Sequence, residues 1–173
     1  LRPFEYKDHS VFVIENDKSI NAHAAPGGFV FVTSGLLNFV ENEDELAFVL
    51  AHEVAHVEMD HGLNAIIQAS GQKLGAEAFG FSEDFNKQLS DGFSQGIEGE
   101  ADFRAGQILA KTGYDPALGA KVIERLESLS GRKHATGYPR DRFTNVMKGV
   151  RIAGGAKGNL SASRAQRFKA ALR

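Results

Sequence analysis

Cysteine and tryptophan are absent from this chain of 173 residues, and proline occurs only four times. Without cysteine there is no disulfide framework and no cysteine-based zinc finger, and the redox compartment stays open. No apolar run approaches the roughly eighteen residues that a membrane-spanning helix needs, which excludes a helical crossing of the bilayer. Internal repeats and low-complexity blocks are also missing. Position 1 is Leu1 rather than methionine. The chain therefore reads as an excised or processed domain, with any signal peptide or membrane anchor lying outside it.

What is present is ordinary for a globular protein. Apolar residues make up 42% and charged residues 24%, which argues against disorder and fibrous repeats. The length is that of one domain able to bury its own core. The net charge of −2 conceals an asymmetry, because nine basic residues and one acid, Asp141, lie from Arg140 onward. That segment can meet nucleic acid or anionic lipid, or it can rest on its own acidic domain or stay solvated. Phe168 is the only aromatic residue beyond Phe143, so the interleaved rings of a single-strand binder are lacking and nucleic acid is not expected as a partner.

Two short β-branched and aromatic runs, Val11 to Ile14 and Phe29 to Val32, read as strands, with a turn at Ala24-Ala25-Pro26-Gly27-Gly28 between them. Ser34 is positioned to cap a short helix through Val40. Asn42 with Glu45 resembles a capping box opening a long helix, about Glu43 to Asp60, whose core side carries Leu46, Val49, Leu50 and Val57. Further helices are expected at about 63–79, at 97–111 ending on Gly113, and from Asp115-Pro116 to about 129. Gly154-Gly155 sets off a last basic stretch. The reading is a mostly helical α+β domain over residues 1–150, with a small sheet near its start, followed by a basic C-terminal tail over 151–173.

The chemistry concentrates in His52-Glu53-Val54-Ala55-His56, in the middle of the long helix. Histidines four apart differ by about 40° around a helix, so both rings can face one metal ion. Glu53 lies about 100° away, near enough to reach a water on that metal without itself ligating. Zinc brings the pKa of a bound water to about 7, and a carboxylate can then take its proton. That is the physical content of the HExxH pattern.

Two histidines do not complete a zinc site. His61, nine residues after His52, falls about 180° around the helix and faces away unless the helix ends first; it fits a helix C-terminal residue better. The metzincin pattern fails, since Met59 and Gly62 stand where its glycine and histidine belong. Glu98-Gly99-Glu100-Ala101-Asp102 offers Glu98 and Asp102 on one helix face, with Glu100 turned toward solvent or another partner. One carboxylate there can complete a His2Glu site and the other can hold a ligating imidazole. An ordinary acidic helix start fits the spacing equally well.

The whole constellation resembles the gluzincin metallopeptidases of the HtpX-like and CAAX-prenyl-protease-like family. The resemblance rests on Asn21-Ala22, Pro26-Gly27-Gly28, Phe31 to Leu37, Glu43 to Ala47, the helix from His52 to Gly62, Glu98 to Asp102 and Tyr114-Asp115-Pro116, and it covers most of residues 17–145. It implies a zincin-like domain with one zinc ion per chain. His52, His56 and Glu98 would be the ligands, Glu53 the general base and Asp102 the partner of a ligand ring. Asn21, Ala22, His23 and Ala24 would form the edge onto which a peptide adds as an extra strand. Two departures stand out. The family usually carries a His-Pro pair followed by arginine, where this chain has Tyr138-Pro139 and Arg142; a tyrosine hydroxyl can also donate to a developing oxyanion. His23 stands where an apolar residue is common.

These readings lead to a zinc endopeptidase acting on unfolded or extended protein segments. The alternatives are a zinc-containing, chaperone-like binding module with little turnover, and a deformylase-type amidase, whose cysteine ligand this chain lacks. The resemblance also implies a bacterial envelope or periplasmic protein, engaged with protein or peptide substrates and at most peripherally associated with the membrane.

Overall fold

The computed structural model describes residues 8–69, 93–130, 138–155 and 161–171. Three strands form one sheet in the order β1-β3-β2, with β1 at Ser10–Ile14, β2 at Ala22–Ala25 and β3 at Phe29–Thr33. β1 pairs parallel to β3, Val11 opposite Val30, and β2 pairs antiparallel to it, Ala22 opposite Val32 and Ala24 opposite Val30. The β2–β3 turn needs backbone that only glycine adopts cheaply: Gly27 and Gly28 have φ of +99° and +98°. Among the described residues β2 is therefore a sheet edge.

Helix α1 (Ser34–Phe39) leads into α2 (Glu43–Glu58), which carries the two expected metal-binding histidines. The cap of α1 is Thr33 rather than Ser34. The Thr33 hydroxyl accepts from the Leu36 N–H, while Ser34, already helical, donates its hydroxyl to the Asp17 carbonyl. At α2 the Asn42 side chain accepts from the Glu45 N–H at 2.9 Å, and the Glu45 carboxylate takes the Glu41 N–H at 2.8 Å. The capping box thus closes one residue earlier than the usual pattern. Phe48, Val49, Ala51, Ala55 and Val57 put α2 into the core with Val30, Val32 and Leu36 of the sheet layer.

Helix α3 spans His61–Ala69, and the rest of the stretch expected to extend it, 70–79, lies outside the described residues. α4 (Gln95–Thr112) starts two residues earlier than expected, on a Ser94 cap, and ends as expected on Gly113, in the left-handed conformation. The single helix expected after Asp115 is two, α5 (Pro116–Gly119) and α6 (Lys121–Ser130). At the break, Gly119 sits against α2 so closely that a Cβ would lie 2.6 Å from the Asp44 carbonyl oxygen.

Helix α7 (Tyr138–Ile152) has no counterpart in the sequence reading, and it crosses α4 at close range. Gly106 of α4 abuts the Val146 carbonyl and Gly149 of α7 abuts the Phe103 carbonyl, with no room for a side chain at either position. This crossing sets α7 against the acidic start of α4. Last, α8 (Ser161–Ala171) lies on the N-terminal end of α2. Arg164 reaches Asp44 at 3.3 Å and the Gly113 carbonyl at 2.8 Å, Arg167 binds Glu43, and Phe168 is buried. Basic side chains of the tail are thus matched to acids in the first turn of α2, where the helix dipole also favours negative charge.

Candidate metal centre

One turn of α2 separates His52 from His56, and their Nε2 atoms stand 3.1 Å apart on the buried side of that helix. α4 delivers Glu98 to the same point, Oε2 being 3.3 Å from His52 Nε2 and Oε1 3.9 Å from His56 Nε2. One donor atom from each of the three residues falls within 4.8 Å of the others. Zinc–nitrogen bonds of about 2.0–2.1 Å place tetrahedral ligand atoms about 3.3 Å apart, so two imidazoles and a carboxylate at these separations suit zinc. Two ring nitrogens facing each other at 3.1 Å also require a proton or a metal ion between them. The residues present therefore fit the ion that the sequence implies, with three protein donors and a side open to a cleft of about 620 Å³.

The electrostatics of the cluster follow from burial set against neighbouring charge. Burial opposes a charged His52, but Asp102 and Glu98 outweigh it and lift its pKa to about 10. Burial and the neighbouring His52 push His56 down to about 3. Burial would raise Glu98, yet His52 and Arg142 hold it at about 2. Glu53 goes the other way: burial raises it to about 7, only partly countered by the charge of His52. Glu53 lines the cleft beside the ligand cluster, and the Ala24 backbone N–H of β2 is directed to its carboxylate.

Asp102 is wholly buried and places Oδ1 3.0 Å from His52 Nδ1. It is gripped on both oxygens by Arg142 of α7, at 2.8 and 2.9 Å. The same guanidinium donates to Glu127 of α6 at 3.0 Å and comes within 3.4 Å of Glu98. Arg142 thus ties three helices together behind the cluster. In the sequence it is marked only by its place after Tyr138-Pro139.

His61 does not face away. α2 stops at Glu58, Asp60 takes a left-handed φ of +53°, and α3 begins at once, swinging the His61 ring back under α2. His61 Nδ1 lies 2.9 Å from His56 Nδ1, and its Nε2 lies 3.5 Å from Glu100 Oε2. Phe93 stacks on the His56 ring, centroids 4.7 Å apart. The helix thus ends before His61, the one condition under which its ring could turn back toward His52 and His56, and His61 opens α3 rather than closing α2.

The expected peptide-binding residues Asn21, Ala22, His23 and Ala24 form one wall of the cleft, with Ile123 and Leu126 of α6 also lining it. His23 stacks on its cross-strand partner Phe31. Tyr138 is the first residue of α7, and its side chain lies outside the described residues.

A model of the family described as Peptidase family M48 matches residues 2–148. Mitochondrial metalloendopeptidase OMA1 of Arabidopsis thaliana is 32% identical over 153 residues, covering 79% of this chain and 32% of that protein. The β-barrel assembly-enhancing protease of Escherichia coli K12 is 30% identical over 161 residues, 82% of this chain and 32% of that protein. The OMA1 of Schizosaccharomyces pombe is 32% identical over 127 residues, covering 67% and 37%. The chain spans about a third of the length of these curated relatives.

Proposed function

The chain belongs to peptidase family M48, and from that membership we propose that it is a zinc-dependent endopeptidase cutting unfolded or extended protein segments. The observation that carries this reading is the convergence of His52 Nε2, His56 Nε2 and a Glu98 oxygen at the floor of a cleft walled by a strand edge. In this reading His52, His56 and Glu98 hold one zinc ion. When bound, zinc acts as a Lewis acid that polarises the scissile carbonyl and acidifies water.

The residues of the chain supply the rest. An extended substrate adds to β2 along Asn21 to Ala24, its backbone held by ladder hydrogen bonds, so a folded segment is excluded. Burial holds Glu53 at a pKa of about 7, which suits a group that must both accept and give back a proton near neutrality. Glu53 takes the proton of the attacking water and passes it to the leaving amine as the C–N bond breaks. Asp102, clamped by Arg142, keeps a carboxylate at His52 Nδ1, so that Nε2 is the nitrogen that faces the metal. Tyr138, in the place of the family's histidine, donates its hydroxyl to the oxyanion.

The named relatives include a mitochondrial endopeptidase and a protease of β-barrel assembly. Among the described residues no helix is long and apolar enough to cross a membrane. We place the protein in the bacterial envelope on the likeness to the second of these relatives; recovery from the cytosolic fraction would contradict that placement. The activity is tested by incubating zinc-loaded protein with casein beside Glu53→Gln. Cleavage by the first and not the second is the expected result. Equal cleavage by both removes Glu53 from its role, and bound zinc with no cleavage by either favours the binding module.

A further inference from the structure

We propose that His61 and Glu100 form a relay that positions His56 for metal binding, in parallel with the Asp102–Arg142 pair that serves His52. The inference rests on the metal-centre reading above, and it concerns residues that neither ligate nor touch substrate. It starts from an asymmetry. Behind His52 stands a buried carboxylate, 3.0 Å from Nδ1. Behind His56, among the described residues, a second imidazole takes the place of a carboxylate, His61, at 2.9 Å from Nδ1.

The proton positions follow from valence alone. A metal held at His56 Nε2 takes that lone pair, so the neutral ring carries its hydrogen on Nδ1. That N–H can only donate to His61 Nδ1, which must then be the unprotonated nitrogen of its own ring. The hydrogen of His61 accordingly sits on Nε2, and the group 3.5 Å from Nε2 is the carboxylate of Glu100. Every donor in the chain has an acceptor, and the chain ends on a negative charge. Reversing either histidine would put two hydrogens or two lone pairs face to face at 2.9 Å. Metal-bound histidines regularly donate the second ring nitrogen to a fixed partner, which sets the tautomer and the ring angle. Here the partner is another histidine, itself set by an acid on α4.

The backbone is built for this contact. His61 is buried although it follows the end of α2, because Asp60 takes the left-handed conformation and α3 restarts immediately. Phe93 stacks on the His56 ring, centroids 4.7 Å apart, while His61 meets that ring edge-on, so the two neighbours together fix its plane. Glu100 is two residues from Glu98 on α4. One helix therefore supplies both a metal ligand and the end of the relay.

The test compares zinc affinity, by competition with a chromogenic chelator, and the cobalt visible spectrum for four proteins of equal thermal stability: wild type, His61→Phe, His61→Asn and Glu100→Ala. His61→Phe keeps the aromatic packing but offers Nδ1 no acceptor, and should bind zinc ten- to a hundredfold more weakly with an altered cobalt spectrum. The amide oxygen of His61→Asn replaces the acceptor and should recover most of the affinity. Glu100→Ala, which removes the acceptor at an exposed position, should lose several-fold. Equal affinity for Phe and Asn at position 61 overturns the relay, since packing alone would then explain the contact. If the phenylalanine variant does not fold, an unchanged affinity in Glu100→Ala overturns it instead. A wild-type protein that binds no zinc would defeat the metal-centre reading itself, a result distinct from either.

Discussion

At the scale of single residues, burial prevails at His56 and Glu53, while neighbouring charge overrides it at His52 and Glu98. His52 is held charged to about pH 10 by Asp102 and Glu98, while His56 is neutral above about 3 and Glu98 ionised above about 2. A metal ion needs the lone pair at His52 Nε2, and in the metal-free protein at neutral pH a proton occupies it. Zinc uptake at pH 7 should therefore release about one proton per ion, so affinity strengthens as pH rises toward 10. Calorimetry in buffers of different ionisation enthalpy counts that proton, and a count of zero would mean His52 is neutral before binding. Glu53→Gln keeps the shape of the site but cannot carry a proton. Its turnover should fall by about 10²–10⁴ with zinc content unchanged. The HExxH residues were legible in the sequence because their spacing is a property of one helix. His61 was not, because its position depends on the left-handed turn at Asp60, which no helical-wheel argument contains.

At the scale of elements, the crossing of α4 and α7 decides whether the carboxylates of α4 meet their arginine. Gly106 and Gly149 let the two backbones touch, and that contact brings Arg142 to Asp102, Glu98 and Glu127. Gly106→Ala puts a methyl group against the Val146 carbonyl and should cost about 1–3 kcal/mol of stability in urea unfolding. It should also weaken zinc binding, because Arg142 moves away from the acids it holds. An alanine variant as stable as wild type would show that the helices can separate freely. α7 was not read from the sequence, and the helix after Asp115 was read as one instead of two. In both places the outcome depends on glycines packed against another helix, Gly106 and Gly149 at one and Gly119 at the other, and such contacts between distant segments are not a property of the local sequence. Capping was the reverse case. Asn42, Asp115 and Gly113 act on their own neighbours, and their signals were accurate, while the cap expected at Ser34 falls one residue earlier, on Thr33.

At the scale of the whole molecule, the active-site helix is fixed at both ends. Its C-terminal end turns into α3 and the His61 contact, and its N-terminal acids are tied to α6 and α8. Asp44 and Arg164 are both nearly sealed from solvent, so Arg164→Ala leaves the buried Asp44 carboxylate with the Asp115 N–H but without its cation, and should destabilise the fold by on the order of 3 kcal/mol. Thermal unfolding measures this directly, and a loss below about 1 kcal/mol, the scale of a surface pair, would show that α8 adds little. The charge asymmetry of the sequence thus has an internal partner in Arg164 and Arg167, a pairing that composition alone could not separate from attraction to lipid or nucleic acid. The central claim is that three residues from two helices build one metal site. It is tested most directly by titrating chelator-stripped protein with zinc, beside Glu98→Gln. The account predicts one zinc per chain for the wild type and an affinity at least tenfold weaker for the variant; equal affinity in the two would contradict it.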